Sequence, residues 1–369
     1  MNRCKVQEIA ELITKGTTPT TLGFSYIDEG INFVKIESIE ANGNFDKTKF
    51  AHISEECHVS LKRSKLQKND ILFSIAGAIG RTAIVSEDIL PANTNQALAI
   101  IRLKKNNNDL NFIRYQLSSA SVIKQTEKQK QGVAQLNLSL KDIGNLEINV
   151  PSLPEQQKIA AHLDSIQSAI DNKKQQLQQL DELVKSKFVE MFGDVSLNDK
   201  NFDTEIGKNL FKFSSGKFLS AEFRLESGIP VYGGNGIAWY TEKPLIEYST
   251  IIIGRVGAYC GNVKLVTEPV WITDNALFIK EFKTSRFNLH FLLKLMENIN
   301  FAKYAGKVAQ PKITQGPLEE QVYIIPPIEL QNKFAEYVQK IDSVKSIIKT
   351  QLVDLQELLD SKMDEYFGE

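Results

Sequence analysis

The sequence predicts an α+β protein in which two similar globular modules are each followed by a long helix. The main observation is an internal repeat: residues 151–193 recur as residues 326–368 at a constant offset of 175, without a gap and with 15 identities in 43 positions. Two further observations support it, a weaker similarity between the segments that precede the copies and a helical apolar pattern in both copies. A match that keeps one register over this length indicates a duplication.

The repeat divides the chain into four predicted parts. They are a first module (residues 1–150), a first helix (151–193), a second module (194–325) and a second helix (326–369). The modules carry net charges of +3 and +1 and the helices −1 and −4, against a total of −1. Any nucleic-acid surface must therefore be local, because the whole chain is not a polycation.

The two modules are related through short matches with a drifting offset. The pairs are Gly16 with Gly216, Gly30-Ile31 with Gly228-Ile229, Gly77-Ala78 with Gly257-Ala258, and Ala97-Leu98 with Ala276-Leu277. The first module has 47 residues between Gly30 and Gly77, and the second has 29 between Gly228 and Gly257. Loops of different length on one scaffold predict two different recognition surfaces.

The two helices carry apolar residues in alternating steps of four and three, typical of a coiled-coil seam. Each is about 37 residues and so about 55 Å long, and its narrow stripe is too extended to be buried by one module. We therefore expect a pseudo-twofold antiparallel pair that separates the modules. Pairing with other chains is the alternative. Lys345 falls at a seam position, where it either sets the register or extends to solvent.

Composition excludes several protein classes. Cys4, Cys57 and Cys260 are odd in number and widely spaced, so buried thiols are expected rather than disulfides or a zinc site. No apolar run approaches the roughly 20 residues of a membrane span, and residues 1–14 lack the apolar region of a signal peptide. A cytoplasmic location is expected.

Catalytic and cofactor motifs are missing from the sequence. The glycine-rich segment 232–237 is not followed by the helix and acidic residue of a dinucleotide site, and residues 52–58, which contain two histidines, match no metal spacing. No nucleophile elbow is present, and Pro326-Pro327 is followed by Ile328 rather than the aromatic residue of an amino-methyltransferase motif. We expect a non-catalytic chain without its own cofactor or metal.

Basic and amide side chains beside glycines form the candidate DNA-binding set, because they suit phosphate contacts and base-edge hydrogen bonds. In the first module they are Lys15, Thr17, Arg81, Lys124, Lys128, Lys130, Gln131, Gln135 and Asn137. In the second they are Lys217, Tyr232, Asn235, Trp239, Tyr240, Arg255, Lys303, Lys307, Gln310 and Lys312. The set is predicted because such residues recur at matching places, Gly80-Arg81 being matched with Gly254-Arg255.

The start of the first helix, Pro151-Ser-Leu-Pro-Glu-Gln-Gln-Lys-Ile-Ala160, and its end at Phe192-Gly193 carry a family resemblance. Together with two modules that each close on Val-Ala-Gln, they make the whole chain resemble the specificity subunit of type I restriction-modification systems. The second copy departs from the motif, with Glu329-Leu330 in place of Pro-Glu.

The resemblance implies two target-recognition domains that each read half of a bipartite DNA sequence, with the paired helices setting the unread gap. It implies recruitment of two modification subunits, which bind S-adenosylmethionine and methylate adenine, and optionally of two ATP- and Mg²⁺-dependent restriction subunits. It also implies that catalysis belongs to those partners. The alternative is a coiled-coil scaffold whose modules bind protein or glycan.

Overall fold

The computed structural model describes residues 3–105, 108–128, 137–305 and 311–368. It divides into two compact units: unit 1 contains residues 1–174 and 350–369, and unit 2 contains residues 175–349. Each unit has its own sheets and its own apolar core. The predicted α+β class, with two repeated domains and two long helices, is confirmed.

Unit 1 is built on a four-stranded antiparallel sheet. Its strands are β1 (Arg3–Lys5), β2 (Ala10–Lys15), β3 (Ile31–Val34), β4 (Ala51–Ile53), β5 (Ile71–Ser74), β6 (Thr82–Ile84), β7 (Ala92–Thr94), β8 (Leu98–Leu103) and β9 (Glu147–Asn149). Its helices are α1 (Val6–Ile9), α2 (Glu55–Ser60), α3 (Leu110–Leu117), α4 (Ala120–Lys128), α5 (Leu140–Asn145) and the first part of α6 (Leu153–Phe192). The sheets have the orders β2-β8-β5-β6, β4-β3-β7 and β1-β9.

Unit 2 repeats this plan. Its strands are β10 (Asp203–Ile206), β11 (Phe211–Ser215), β12 (Ile229–Gly233), β13 (Gly236–Thr241), β14 (Thr250–Gly254), β15 (Val263–Val266), β16 (Trp271–Ile272), β17 (Ala276–Phe282) and β18 (Val322–Ile325). Its helices are α7 (Gly207–Leu210), α8 (Leu289–Ile299), α9 (Gln315–Glu320), the second part of α6 and the first part of α10 (Ile328–Phe367). The last part of α10 belongs to unit 1. The sheets β11-β17-β14-β15, β13-β12-β16 and β10-β18 match those of unit 1 one by one.

The matching strands correct one pairing taken from the sequence. Ser74 of β5 is opposite Leu98, and Gly254 of β14 is opposite Ala276. Leu98 is therefore equivalent to Ala276, whereas the sequence match had paired it with Leu277. The error is one residue, because chance identity at Ala97 and Ala276 favoured a register that the hydrogen bonds do not use.

Segments of α6 and α10 lie antiparallel within each unit. In unit 1, His162 near the start of α6 is hydrogen-bonded to the Tyr366 hydroxyl near the end of α10, with a separation of 2.7 Å. In unit 2, Phe188 near the end of α6 packs on Phe334 near the start of α10, with ring centroids 5.5 Å apart. The predicted antiparallel pairing is confirmed.

The seam lysine Lys345 takes part in the helix pairing of unit 2. Its Nζ lies 2.6 Å from an Asp181 carboxylate oxygen of α6. Lys345 therefore contacts the other helix of the pair.

Candidate nucleic-acid interface

One end of the main sheet in unit 1 gathers several predicted residues. There β2 and β5 end and β8 begins between them, with Lys15 opposite Ala99 and Ser74 opposite Leu98. The chain then continues from these strand ends as turns. We call this surface edge 1 and define it as residues 15–18, 75–81, 94–97 and 137–138.

Unit 2 has the same surface, edge 2, defined as residues 215–218, 255–261, 272–275 and 312–313. Three pairs of backbone hydrogen bonds show the equivalence. Gly16 N donates to Leu98 O (3.3 Å), as Gly216 N does to Ala276 O (3.0 Å). Ile75 N donates to Ala97 O (2.9 Å), as Arg255 N does to Asn275 O (2.9 Å). Leu138 N donates to Ile75 O (3.0 Å), as Ile313 N does to Arg255 O (2.9 Å). The two edges therefore share a backbone and differ in side chains.

Glycine is needed where each edge begins. A Cβ atom on Gly16 would lie 2.0 Å from the Thr94 carbonyl oxygen, and one on Gly216 would lie 2.2 Å from that of Thr273. Such a contact is impossible without moving backbone, so only glycine lets the strand pass this close to the neighbouring segment. The Gly16–Gly216 match in the sequence therefore has a steric cause.

Four of the predicted residues of unit 1 that the structure describes lie on or beside edge 1. Lys15 and Thr17 are half-buried, and Lys124 and Asn137 are exposed. Lys124 follows Ile123, whose side chain packs against Gly80 of the edge. These four residues can offer an ammonium group, a hydroxyl and an amide to a ligand at one surface.

Unit 2 places exposed lysines at its edge. Lys217 and Lys312 belong to edge 2, and Lys303 follows Ala302, whose backbone packs against Gly261. Gly261 is equivalent to Gly80, because their amides donate to Gly254 O (2.8 Å) and Ser74 O (3.1 Å) respectively. Lys303 and Lys124 thus occupy similar places beside the two edges.

The match between Arg81 and Arg255 is wrong. By the backbone hydrogen bonds, Arg255 is equivalent to Ile75. Its Nη1 donates to Asp274 O at 3.3 Å, whereas Arg81 Nη1 donates to Ile39 O at 3.1 Å. Both arginines are at the edges but at different positions. The sequence match failed because a Gly-Arg pair is too short to specify a register.

The glycine-rich segment of unit 2 forms the turn of the β12–β13 hairpin. Tyr232 of β12 accepts a backbone hydrogen bond from Thr273 N (2.9 Å), which joins the hairpin to edge 2. Burial, followed by the nearby Glu268 carboxylate, raises the pKa of the Tyr232 phenol, which stays protonated at neutral pH. Asn235 is exposed at the turn, and its carbonyl oxygen accepts from Lys264 Nζ at 2.7 Å.

The remaining hairpin residues reveal a contact that the sequence did not predict. Trp239 and Tyr240 of β13 are half-buried, and the Arg224 guanidinium stacks on the Trp239 ring at 4.2 Å. Fifteen residues separate the two in the chain, so no local pattern signals the pair. Phe218 was also missed; it is 77% exposed beside Lys217, and its signal was an aromatic residue directly after a Gly-Lys pair.

Three polar atoms near edge 2 are buried without a hydrogen-bond partner among the described residues: Trp239 Nε1, Arg255 Nε and Thr273 Oγ1. Each can donate a hydrogen bond. Unpaired buried donors are uncommon in folded proteins, and ligand binding is one cause. Their chemistry suits acceptors such as phosphate or base oxygens.

Several predicted residues lie outside the part of the chain that the structure describes. They are Lys130, Gln131, Gln135, Lys307 and Gln310. Lys128 is the last residue of α4, and its side chain is likewise not described.

The other sequence expectations concern metals, thiols and membranes. The described residues contain no group of His, Cys, Asp and Glu that could hold a metal ion. Cys57 and Cys260 are buried and Cys4 is half-buried, all three as free thiols whose pKa is raised by burial. Within the described segments, no helix has the length and apolar character of a bilayer crossing.

Comparison with solved structures shows where this fold occurs. The S subunit of a type I restriction-modification system from Mycoplasma genitalium matches with a TM-score of 0.61 at 19% identity, covering 100% of this chain and 96% of that one. A chain from a structural study of type I complex assembly and conformational transition matches at 0.53 and 15% identity, over 99% and 97%. These likenesses identify the fold.

Sequence comparison identifies the family. The chain is 26% identical over 360 residues to the EcoprrI specificity subunit of Escherichia coli, covering 91% of this chain and 86% of that protein. It is 36% identical over 155 residues to the EcoBI specificity subunit of the same organism, covering 40% of this chain and 32% of that protein. The family described as type I restriction modification DNA specificity domain matches residues 1–182 and 204–357. The chain therefore belongs to the family of type I restriction-modification specificity subunits.

Proposed function

We propose that this chain reads a bipartite DNA target, with residues 1–150 and 194–325 each recognising one half around an unread gap. The observation that carries the proposal is the pair of edges, which share a backbone hydrogen-bond register but present different side chains. Two copies of one scaffold with different surfaces suit two different half-sites. The match to a DNA specificity family supports DNA as the ligand.

The edge side chains divide by their chemistry. Exposed lysines such as Lys124, Lys217 and Lys312 suit phosphate contacts, which position a protein on the duplex. Amide and hydroxyl groups such as those of Asn137 and Thr17 suit base edges, which carry the sequence information. Because the ligand is DNA, we also propose a cytoplasmic location.

The salt dependence of DNA binding tests this proposal. Alanine at Lys128, Lys130, Lys303 or Lys307 should weaken binding, and removing one lysine–phosphate interaction should lower the slope of log K against log salt by about 0.9. Lys280→Ala is the matched control, because this exposed lysine is on β17 but four residues from the edge 2 end of that strand. Unchanged slopes in all four variants would contradict the assignment of these lysines, and Gln135 or Gln310 substitutions would then be tried for base readout.

We propose further that the two helices recruit two modification subunits, which supply S-adenosylmethionine and the methylation chemistry, so that this chain is not itself catalytic. Restriction subunits using ATP and Mg²⁺ are an optional addition. Support comes from surface residues that the repeat keeps identical. Leu183 is 47% exposed and its counterpart Leu358 is 42% exposed. Each is followed by the same helical ion pair, Lys187 with Glu190 (2.7 Å) and Lys362 with Glu365 (2.5 Å).

Identical exposed groups in both units favour two equivalent partner surfaces. Native mass spectrometry of the chain with its modification subunits should show two copies bound, and Leu183→Asp or Leu358→Asp should each release one. Val353→Asp is the control, because Val353 is 57% exposed but its counterpart is Gln178. Retention of both copies in the two leucine variants would contradict the assignment of this surface.

A further inference from the structure

A short segment of unit 1, residues 39–46, lies against α6, and we call it the strap. Asn42 Nδ2 donates to one carboxylate oxygen of Asp171 at 3.1 Å, and Asn44 Nδ2 donates to the other at 3.4 Å. Gln167 Nε2 of the same helix donates to Asp171 at 3.0 Å. The Asp171 carboxylate is therefore engaged on both oxygens, and hydrogen bonds to a charged acceptor are stronger than neutral ones.

The conformation of the strap is fixed by a hydrogen bond within it and by the Arg114 side chain of α3. Asn44 N donates to Asn42 Oδ1 at 3.0 Å, and Gly43 adopts a left-handed conformation with φ of +88°. The buried Arg114 side chain of α3 donates from Nη1 to Asn42 O at 3.2 Å. A Cβ atom on Gly43 would lie 2.6 Å from that nitrogen, so the turn and the arginine are fitted to each other. The two asparagines reach α6 from a rigid base.

The other end of the strap connects to edge 1. Ile39 is buried in an apolar cluster of unit 1 and forms a β-bridge with Phe45 across the strap. Its carbonyl oxygen accepts from Nη1 of Arg81 at 3.1 Å. A continuous set of hydrogen bonds therefore runs from Arg81 at the edge, through the strap, to Asp171 on the long helix.

The strap is the last of three polar attachments along α6. At the first, Asp109 N donates to Gln156 Oε1 (2.9 Å); at the second, Asp164 accepts from Asn111 Nδ2 (2.9 Å) and from the Tyr115 hydroxyl (2.8 Å). Successive attachments are seven or eight residues apart, which is roughly 11 Å along the helix axis. The recognition domain is thus fixed on the helix over about four turns.

Unit 2 repeats the first attachment. Asn288 N donates to Gln331 Oε1 at 2.9 Å, as Asp109 does to Gln156. The counterparts of Asp164 and Asp171 are Gln339 and Ser346, both exposed and neither a carboxylate. The strap belongs to the stretch in which the second module is 18 residues shorter, as 29 against 47 residues between equivalent glycines shows. The strap and the carboxylate that it contacts are therefore features of unit 1.

We propose that the strap is a positioning device that fixes edge 1 along α6 and so restricts the gap length at which the first domain can read its half-site. This inference rests on the proposed function. Asn42, Asn44 and Asp171 then act through Arg81 and edge 1 and need not touch DNA. Without the strap, the sheet β4-β3-β7 keeps its own apolar core but loses the hydrogen bonds by which the strap contacts α6.

The experiment maps methylated adenines in a library of targets with altered gaps, using the full chain with its modification subunits. Asp171→Ala removes the hydrogen bonds by which the strap contacts α6 and should raise methylation at gaps one base pair from the native length by about tenfold. The exchanged pair Asn42→Asp with Asp171→Asn restores a donor opposite an acceptor and should return selectivity to the original. Gln339→Ala, at the exposed α10 position equivalent to Asp164, should leave gap selectivity unchanged.

Amide hydrogen exchange of residues 40–46 in the same samples separates a positioning role from a purely structural one. Faster exchange together with relaxed gap selectivity supports the inference. Faster exchange with unchanged selectivity, or no change in either, overturns it. If Asp171→Ala does not fold, Asn42→Ala with Asn44→Ala is read in the same way. A wild-type complex that methylates no bipartite target would instead contradict the proposed function.

Discussion

The two units attach the same kind of recognition domain to the long helices by different chemistry. In unit 2, the Phe192 ring contacts Phe188, Phe202, Phe291 and Phe334, with ring centroids 4.6–6.3 Å apart. The equivalent Phe367 in unit 1 contacts the rings of Phe112 (5.3 Å) and Tyr366 (6.5 Å), and polar side chains of α6 add hydrogen bonds to the apolar packing. A duplicated scaffold can therefore keep its fold while one copy adds aromatic contacts and the other adds directed hydrogen bonds to a shared apolar core.

The sheets differ in the same way. In unit 1 the fully buried Asp70 carboxylate is paired with Arg102 through two hydrogen bonds of 2.7 and 2.8 Å. In unit 2 the corresponding positions are Thr250, whose hydroxyl donates to Ile279 O at 2.6 Å, and the exposed Lys280. Charge in the interior makes unit 1 sensitive to substitutions that unit 2 tolerates.

The aromatic difference gives the largest expected effect. Phe192→Ala should destabilise unit 2 by about 3–5 kcal/mol, as for other buried phenylalanines. Phe367→Ala should cost unit 1 about 1 kcal/mol less, because the Phe367 ring packs against fewer aromatic neighbours. Hydrogen exchange resolved by unit measures both, and a larger cost for Phe367→Ala would contradict the comparison.

The buried ion pair gives the next largest effect. Arg102→Ala leaves the Asp70 carboxylate buried without its cation and should cost about 2–3 kcal/mol, less than the roughly 3–5 kcal/mol of a fully buried pair because Arg102 is partly exposed. Lys280→Ala should cost less than about 0.5 kcal/mol. Urea denaturation of the two variants tests this, and equal midpoints would show that the ion pair does not contribute as described.

Substitutions at the two edges give the smallest expected effect, which is a change in the salt dependence of DNA binding. Thr17 and Lys217 occupy equivalent positions, one neutral and one charged. Lys217→Ala should lower the salt slope of DNA binding by about 0.9, whereas Thr17→Ala should leave the slope unchanged. Titrations of the assembled complex at several salt concentrations measure both, and equal slopes for the two variants would remove Lys217 from the phosphate contacts.

Much of this architecture follows from the sequence because duplication leaves identities at a constant offset and a long helix leaves a periodic apolar pattern. The edges were located by glycines that have a steric cause, Gly16 and Gly216. The Arg81–Arg255 match failed because backbone register is set by hydrogen bonds between distant segments, which a dipeptide does not encode. The strap was missed because Asn42, Gly43 and Asn44 are ordinary turn residues, and Asp171 is 127 residues away from Asn44.

We propose that the helices of this chain set the length of the unread gap between the two half-sites. Mapping of modified adenines with co-expressed modification subunits tests this most directly, before and after inserting four residues near Lys173 and near Ile348. Each insertion lengthens its helix by about 6 Å. We expect a bipartite motif whose halves are unchanged and whose gap grows by one or two base pairs, since each base pair spans about 3.4 Å. An unaltered gap, or a contiguous motif in the parent, would contradict it.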